Sequence, residues 1–235
     1  MKISILTPTR GRPDLFERFY KSVLDNVTNH EVIVYGLVDE NDTTKDSYTE
    51  QFNVRIYTRP EGTVSLGWNY LANRASIDST DIMIMGNDDV VYRTHGWDKI
   101  LVDKVTQYPD QIYCAWFEDL INGPTHCAFP IVSAKWYNIL GYFAPTCFNF
   151  GYNDTWVFDI AQRVGRTLFI SEVVAEHMHV TTGKQAPDDT WNRNRNQERG
   201  NLYAKDQVIF GVTQEVRQRH ADLLKGAIQK EDNHV

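Results

Sequence analysis

Residues 82–91 read I-M-I-M-G-N-D-D-V-V and hold the clearest sign of the fold. The four apolar residues Ile82–Met85 predict a strand buried on both faces, as in parallel sheets that helices cover. The run stops at a glycine, which is followed by one amide and two carboxylates: Asn87, Asp88 and Asp89. Open α/β sheets bind their ligands beside the carboxyl ends of their strands. The stretch therefore suggests a divalent-metal site, with an ordinary Asx-rich turn as the alternative.

The first half of the chain alternates strand and helix patterns. The predicted elements are strands at 2–6, 31–38, 54–57 and 82–85 and helices at 13–27 and 66–77. Pro13 suits the first turn of a helix, and apolar residues follow it at helical spacing. This order predicts an α/β fold, with a mostly parallel central sheet and helices on both faces.

The second half has a looser pattern. The predicted elements are helices at 95–106, 134–140 and 154–164 and strands at 112–117, 127–133 and 167–175. The polar stretch 183–201 predicts a long mobile loop, and 203–229 has the spacing of a helix. We expect one domain over residues 1–202 and a C-terminal helical extension at 203–235.

Composition narrows the class of protein. The chain has 235 residues, of which 42% are hydrophobic and 23% charged, as in soluble globular proteins. Its net charge of -7 offers no overall attraction for nucleic acid or anionic lipid. Three cysteines without Cys-x-x-Cys spacing predict reduced thiols and a cytoplasmic protein. Neither a signal peptide nor a membrane span is predicted, and the oligomeric state is left open.

Three loops follow predicted parallel strands and should meet at one edge of the sheet: 7–13, 39–44 and 86–89. The first carries Arg10 and Arg12 beside a helix N-terminus, which suits anionic groups. The other two carry acids, which suit hydroxyls, base N–H groups and a cation. A nucleoside diphosphate with a divalent metal requires this combination.

These segments resemble a known family. I-L-T-P-T-R-G-R-P at 5–13, L-V-D-E-N-D-T at 37–43 and the strand that ends in N-D-D are similar to glycosyltransferases of the GT-A fold, close to family 2. The resemblance covers roughly residues 2–180. It implies a Rossmann-like sheet, a nucleotide-sugar donor with UDP-sugar favoured, and Mn²⁺ or Mg²⁺.

The resemblance also implies roles for individual residues. The donor would be bound by Thr7, Pro8, Thr9, Arg10, Asp39, Asn87 and Asp88. Asp89 would bind the metal at the second acid of the family's Asp-x-Asp motif. Asn87 stands where the motif has its first acid, a departure that suits a ribose hydroxyl better than a metal.

The segment E-H-M-H at 176–179 places His177 and His179 on one face of an extended chain. In the resembled fold a histidine here completes the metal site, and His177 is the preferred candidate; surface histidines are the alternative. G-K-Q-A-P-D-D-T-W at 183–191 resembles a flexible loop that closes over the donor. Lys184 would then contact the diphosphate.

Asp154 is the candidate catalytic residue. It lies in F-N-F-G-Y-N-D-T-W at 148–156 and matches the second member of the family's acidic pair, with Asn153 in place of the first. In that role it would be the general base for the acceptor hydroxyl. Capping of the predicted helix is the alternative.

The leading hypothesis is a metal-dependent, inverting hexosyl- or pentosyltransferase that acts on a glycan or a hydroxymethylated DNA base. A non-catalytic nucleotide-sugar or glycan-binding module is the alternative. A nucleotidyltransferase fits less well, because no glycine-rich phosphate loop with a lysine follows the first strand. Three arginines form either a solvated face or a strip for DNA phosphates: Arg193, Arg195 and Arg199. Four tryptophans are expected to be core or helix-packing residues: Trp68, Trp97, Trp116 and Trp136.

Overall fold

The computed structural model describes residues 1–194 and 197–232, apart from the side chains of 194–199 and 231–232. The strands are β1 (Lys2–Thr9), β2 (Glu31–Asp39), β3 (Val54–Arg59), β4 (Ile82–Met85), β5 (Val90–Tyr92), β6 (Cys114–Glu118), β7 (Ile131–Ser133) and β8 (Thr167–His177). The helices are α1 (Pro13–Leu24), α2 (Val64–Ile77), α3 (Trp97–Val105), α4 (Ala134–Leu140), α5 (Asn153–Val164), α6 (Asp189–Asn194), α7 (Gln197–Val212) and α8 (Gln214–Asp232).

Within the described residues, eight strands form a sheet in the order β3-β2-β1-β4-β7-β6-β8-β5. β3, β2, β1 and β4 are parallel to one another, and β6 is parallel to β8. β7 and β5 run antiparallel to their neighbours. The predicted α/β fold with a mostly parallel sheet is therefore confirmed.

Helices cover both faces of the sheet. On one face α1 and α3 pack through Phe19 and Trp97 against the sheet, and both side chains are fully buried. On the other face α2, α4, α5 and α8 form a second core that includes Leu71 and Trp156. Because successive strand residues point to opposite faces, Ile5 and Leu6 of β1 enter different cores.

The C-terminal part differs from its sequence prediction. The long loop predicted at 183–201 is wrong, because residues 189–194 and 197–201 are helical. The single helix predicted at 203–229 is also wrong, because this part of the chain forms two helices, α7 and α8, with a break between them at Thr213. Arg217 supports this break by donating from Nη1 to the Phe210 carbonyl at 2.6 Å and to Thr213 Oγ1 at 3.0 Å.

The strand predicted at 127–133 is shorter than expected, since only Ile131–Ser133 pairs in the sheet. All three cysteines are free thiols. None of the helices in the described ranges has the length and apolar character needed to cross a membrane. The domain boundary at residue 202 stays a prediction.

Candidate functional site

A cleft of about 340 Å³ lies at the carboxyl ends of β1, β2 and β4. As predicted from the strand pattern, the loops after these three strands meet here. Among the predicted donor and metal residues, those that line the cleft are Pro8, Thr9, Arg10, Asp39, Asn87, Asp89, His177 and His179. The wall is completed by the start of α2, by residues 149–150 and by α6.

Asp89 and His177 meet because of strand pairing. Asp89 directly precedes β5, His177 ends β8, and the antiparallel register places Val90 opposite His177. The Met178 amide donates to the Asp89 carbonyl at 2.8 Å and fixes this end of the pair. As a result Asp89 Oδ1 and His177 Nε2 lie 3.4 Å apart.

Both of these atoms are buried and lack a hydrogen-bond partner. The two atoms lie within ion-pair distance of each other, but their geometry forms no hydrogen bond. Buried polar atoms are nearly always satisfied, so two atoms side by side in a cleft without protein partners are suited to bind a shared ligand. A carboxylate oxygen suits either Mn²⁺ or Mg²⁺, and a neutral imidazole nitrogen beside it suits Mn²⁺ better than Mg²⁺.

The site supplies only part of a metal's coordination sphere. Within the described residues, no group of three or more His, Cys, Asp or Glu side chains is arranged to hold an ion. Metals of this kind normally take their remaining ligands from substrate phosphates and water. His179 is placed differently from His177, because its Nδ1 lies 2.6 Å from Thr181 Oγ1 and its ring packs on Trp191.

Asp88 points into the protein wall rather than into the cleft. Its carboxylate accepts from Thr9 Oγ1 at 2.7 Å and from Arg12 Nη1 at 3.1 Å. Burial raises the pKa of Asp88 to about 6; Arg12 opposes this rise and Asp89 adds to it. Asp88 thus ties the β4 loop to the β1 loop.

Thr7 is also placed away from the cleft. Its side chain is fully buried, and its Oγ1 has no hydrogen-bond partner. A Cβ atom at Gly86 would lie 2.2 Å from this oxygen. Gly86 is therefore needed for the close approach of β4 to β1.

Arg10 links the first two loops. Its Nη1 donates to Asp39 Oδ2 and to Asn41 Oδ1, each at 2.7 Å. Glu61, which follows β3, accepts from Asn41 Nδ2 at 2.9 Å. This polar wall can contact the hydroxyl and N–H groups of a nucleoside.

Trp68, predicted as a packing residue, lines the same cleft and donates from Nε1 to the Leu6 carbonyl at 3.1 Å.

The segment before and within α6 lies across the cleft. Asp188 accepts two hydrogen bonds from Arg12 at 2.8 and 2.9 Å, and Thr190 Oγ1 donates to the Arg10 carbonyl at 2.7 Å. At its far end Arg193 pairs with Glu61. We call residues 188–193 the strap. The sequence predicted a closing loop at 183–191 and pointed to Arg12 as a site for anionic groups, but it did not reveal the pairing of Asp188 with Arg12.

Lys184 does not reach the cleft. Its Nζ lies 2.8 Å from Glu176 Oε1, and Arg93 binds the other oxygen of that carboxylate. Arg193 lines the cleft, whereas Arg195 lies outside the described residues, as does the side chain of Arg199.

Asp154 is paired with a histidine that the sequence did not reveal. His126 Nε2 lies 3.0 Å from Asp154 Oδ2, and the hydrogen bond to Asp154 raises the pKa of His126 against the opposing effect of burial. Tyr152, at a φ of 63°, occupies the cap position of α5. Asp154 is therefore not the N-cap residue, but it lies in the first turn of α5, where its Oδ1 accepts from Thr155 N at 2.8 Å. Asp154 does not itself line the cleft; Asn149 and Phe150 just before it do.

Asn153, beside Asp154, has a packing role. It is 3% exposed, and its Oδ1 accepts from Ser65 Oγ at 2.7 Å. Ser65 Oγ also lies within hydrogen-bond distance of the Phe148 carbonyl, at 3.1 Å. The amide at position 153 thus attaches the start of α5 to α2.

Comparison with solved structures supports the predicted fold. No protein-family model matches the chain, and no curated protein matches it. Two solved structures of TarS residues 1-349 from S. aureus, one with UDP-GlcNAc, match at TM-score 0.54 and 12% and 13% identity, over 75% and 76% of this chain. The chain covers 60% of the length of those structures.

The mannosyltransferase PcManGT from Pyrobaculum calidifontis, solved with GDP-Man and Mn²⁺, matches at TM-score 0.55 and 14% identity. That match covers 97% of this chain and 73% of the other. At such low identity these likenesses show a shared fold. The fold is a GT-A, Rossmann-like one with a C-terminal helical part.

Proposed function

We propose that this chain is a metal-dependent, inverting glycosyltransferase that takes a sugar from a nucleotide-sugar donor, with UDP-sugar favoured. The observation that carries this proposal is the unsatisfied pair of Asp89 Oδ1 and His177 Nε2 in the cleft. The GT-A fold adds support, because the neighbours of this fold include proteins solved with UDP-GlcNAc and with GDP-Man and Mn²⁺.

In this proposal the nucleoside lies against Pro8, Arg10 and Asp39, and the diphosphate lies near Asp89 and His177. These two residues would hold the cation. When bound, the cation supplies Lewis-acid stabilisation of the leaving diphosphate. The strap covers the cleft and shields the donor from water.

Asp154 is proposed as the general base. Its carboxylate takes the proton of an acceptor hydroxyl while the acceptor oxygen bonds to the anomeric carbon. The bond from that carbon to the diphosphate breaks on the opposite face, and the nucleoside diphosphate leaves with the electron pair. His126 holds one carboxylate oxygen, and Thr155 N donates to the other at 2.8 Å. The acceptor is proposed to be a glycan or a hydroxymethylated DNA base.

One observation favours a second candidate, a binding module that has kept the fold without catalysis. Amides replace the first acid in both resembled motifs, and both are engaged within the protein. Asn87 Oδ1 accepts from the Asp88 amide at 3.0 Å, and Asn153 binds Ser65. This candidate binds a nucleotide sugar and transfers nothing.

Thermal unfolding with UDP-glucose, UDP-GlcNAc and GDP-mannose, each with and without Mn²⁺, tests the proposal. A ligand present at 100 times its Kd stabilises the folded protein by about 2.7 kcal/mol, a readily measured shift. We expect stabilisation by at least one nucleotide sugar that depends on Mn²⁺. Donor hydrolysis by water then separates enzyme from binding module without a known acceptor. Absence of any Mn²⁺-dependent stabilisation would contradict the metal-dependent enzyme, and absence of any stabilisation would contradict both candidates.

A further inference from the structure

The C-terminal helix α7 holds part of the cleft wall through one buried carboxylate. Asp206 has no solvent exposure, and its oxygens accept from three consecutive backbone amides. The shortest distances are 3.0 Å to Asn149 N, 2.7 Å to Phe150 N and 2.9 Å to Gly151 N. Asn149 Nδ2 adds a fourth donor at 3.2 Å. We call residues 149–151 the wall loop.

Two aromatic residues on the same face of α7 pack against the chain just after the wall loop. Tyr203 and Phe210 lie three residues before and four residues after Asp206, so the three side chains share one side of the helix. Both rings pack on Tyr152, each with a centroid separation of 5.2 Å. A Cβ atom at Gly151 would lie 2.6 Å from the Tyr203 ring, so the wall loop is in close contact with α7.

The wall loop occupies a particular part of the cleft. Asn149 and Phe150 line it, and the chain then enters α5, where Asp154 lies. The proposed nucleoside wall belongs to β1 and β2, and the proposed cation ligands belong to the ends of β4 and β8. The transferred sugar must lie between the diphosphate and the general base. The wall loop, which precedes Asp154 in the chain, is the part of the described wall best placed to contact it.

We propose that Asp206 is a positioning residue for the sugar of the donor, acting through the wall loop. This inference rests on the proposed function. A carboxylate without exposure needs donors to offset its burial, and three amides of a tight loop need an acceptor. The carboxylate and the three amides therefore hold each other in place. Asp206 thus contributes to recognition of the sugar, although it lies in a helix far along the chain.

The test compares Asp206→Asn with the parent protein. The amide keeps the size of the side chain but offers one oxygen to the amides that two oxygens now satisfy. We expect the Kd for the donor, UDP-GlcNAc or GDP-mannose, to rise about tenfold, as loss of one buried hydrogen bond commonly causes. The Kd for the matching diphosphate, UDP or GDP, should change less than twofold, because its proposed contacts lie elsewhere.

Two other variants frame this measurement. Asp222→Asn makes the same chemical change on the exposed side of α8, where Asp222 contacts only Gln218 among its described hydrogen bonds, and should leave both affinities unchanged. Tyr203→Ala loosens the wall loop without leaving a buried group unpaired and should raise the donor Kd in the same direction but less. If Asp206→Asn fails to fold, Tyr203→Ala carries the comparison.

Hydrogen exchange of the wall-loop amides completes the experiment. Faster exchange at 149–151 together with a selective loss of donor affinity is the expected result. Unchanged exchange overturns the inference, and so does an equal loss of affinity for donor and diphosphate, which indicates general loosening. If the parent protein binds no nucleotide, the proposed function itself is refuted. This outcome is seen in the binding data of the parent, before any variant is compared.

Discussion

Asp89 Oδ1 and His177 Nε2 lie 3.4 Å apart at the meeting point of β5 and β8, and neither atom has a hydrogen-bond partner. Buried polar atoms without a protein hydrogen-bond partner lower stability unless a ligand or water satisfies them. Pairs of this kind are retained where a ligand completes them. The arrangement therefore yields predictions that separate stability from binding.

The first prediction concerns Asp89→Asn. Because the carboxylate is buried and incompletely paired beside Asp88, its neutralisation should leave the Tm of the metal-free protein unchanged or raise it. Loss of a group that only supports a metal ligand commonly lowers metal affinity by ~10–100-fold. Loss of a ligand itself should weaken Mn²⁺-dependent binding of the donor by more than that. Calorimetry at matched Mn²⁺ measures the affinity, and differential scanning measures the Tm. Donor binding equal to that of the parent would refute Asp89 as a ligand.

The second prediction compares His177→Ala with His179→Ala. His177 faces Asp89, whereas His179 lies within hydrogen-bond distance of Thr181 and packs on Trp191. We therefore expect the first variant to lose Mn²⁺-dependent donor binding and the second to retain most of it. Each variant is the control for the other, because both remove one imidazole from the same short segment. The reverse order would move the metal site toward the strap.

Features of this site could be predicted from the sequence where they depend on neighbouring residues, and not where they depend on residues far apart in the chain. Strand β4 and its acidic loop were predictable, because a run of apolar residues that stops at Gly86 is a local signal. Helix α6 was not predictable, because polar contacts such as that of Asp188 with Arg12 hold it in place. Its sequence therefore shows no periodic pattern of apolar residues. The pairing of His126 with Asp154 spans 28 residues and leaves no trace in local sequence.

The third prediction concerns the strap. Asp188→Asn should weaken its two hydrogen bonds with Arg12, because charge-assisted pairs are stronger than neutral ones. We expect the nucleotide to dissociate about five- to tenfold faster, which corresponds to about 1–1.4 kcal/mol, the size of a typical intramolecular hydrogen bond. Stopped-flow release of a fluorescent nucleotide measures the rate. Asp189→Asn, one residue further and exposed, is the matched control and should leave the rate unchanged. Equal rates in both variants would show that the strap does not gate release.

The fourth prediction concerns pH. The hydrogen bond to Asp154 raises the pKa of His126 despite burial, and the nearby Asp119 contributes in the same direction. A histidine with a raised folded-state pKa stabilises the protein fully below its unfolded value of about 6.5, and this contribution is lost as pH rises through the folded value. We therefore expect the Tm difference between the parent and His126→Gln to be largest near pH 5.5 and to shrink toward pH 8. A constant difference would indicate packing on Phe158 alone.

The last prediction concerns Asp154→Asn and separates an enzyme from a binding module. Asparagine keeps the side-chain oxygen that accepts from Thr155 N, so the start of α5 should lose little stability when the Asp154 charge is removed. The nucleoside and diphosphate contacts lie elsewhere in the cleft, so donor affinity should stay within about twofold, well under the 1.4 kcal/mol of a tenfold change. Transfer should nevertheless fall by ~100-fold or more, because an amide cannot accept the proton of the attacking hydroxyl. Donor hydrolysis by water provides the rate, and His126→Gln is the companion variant, since glutamine can still donate to the carboxylate and should retain much of the activity. A parent protein that binds the donor and never turns it over would favour the binding module, whereas an active parent with an equally active Asp154→Asn would place the base on another residue.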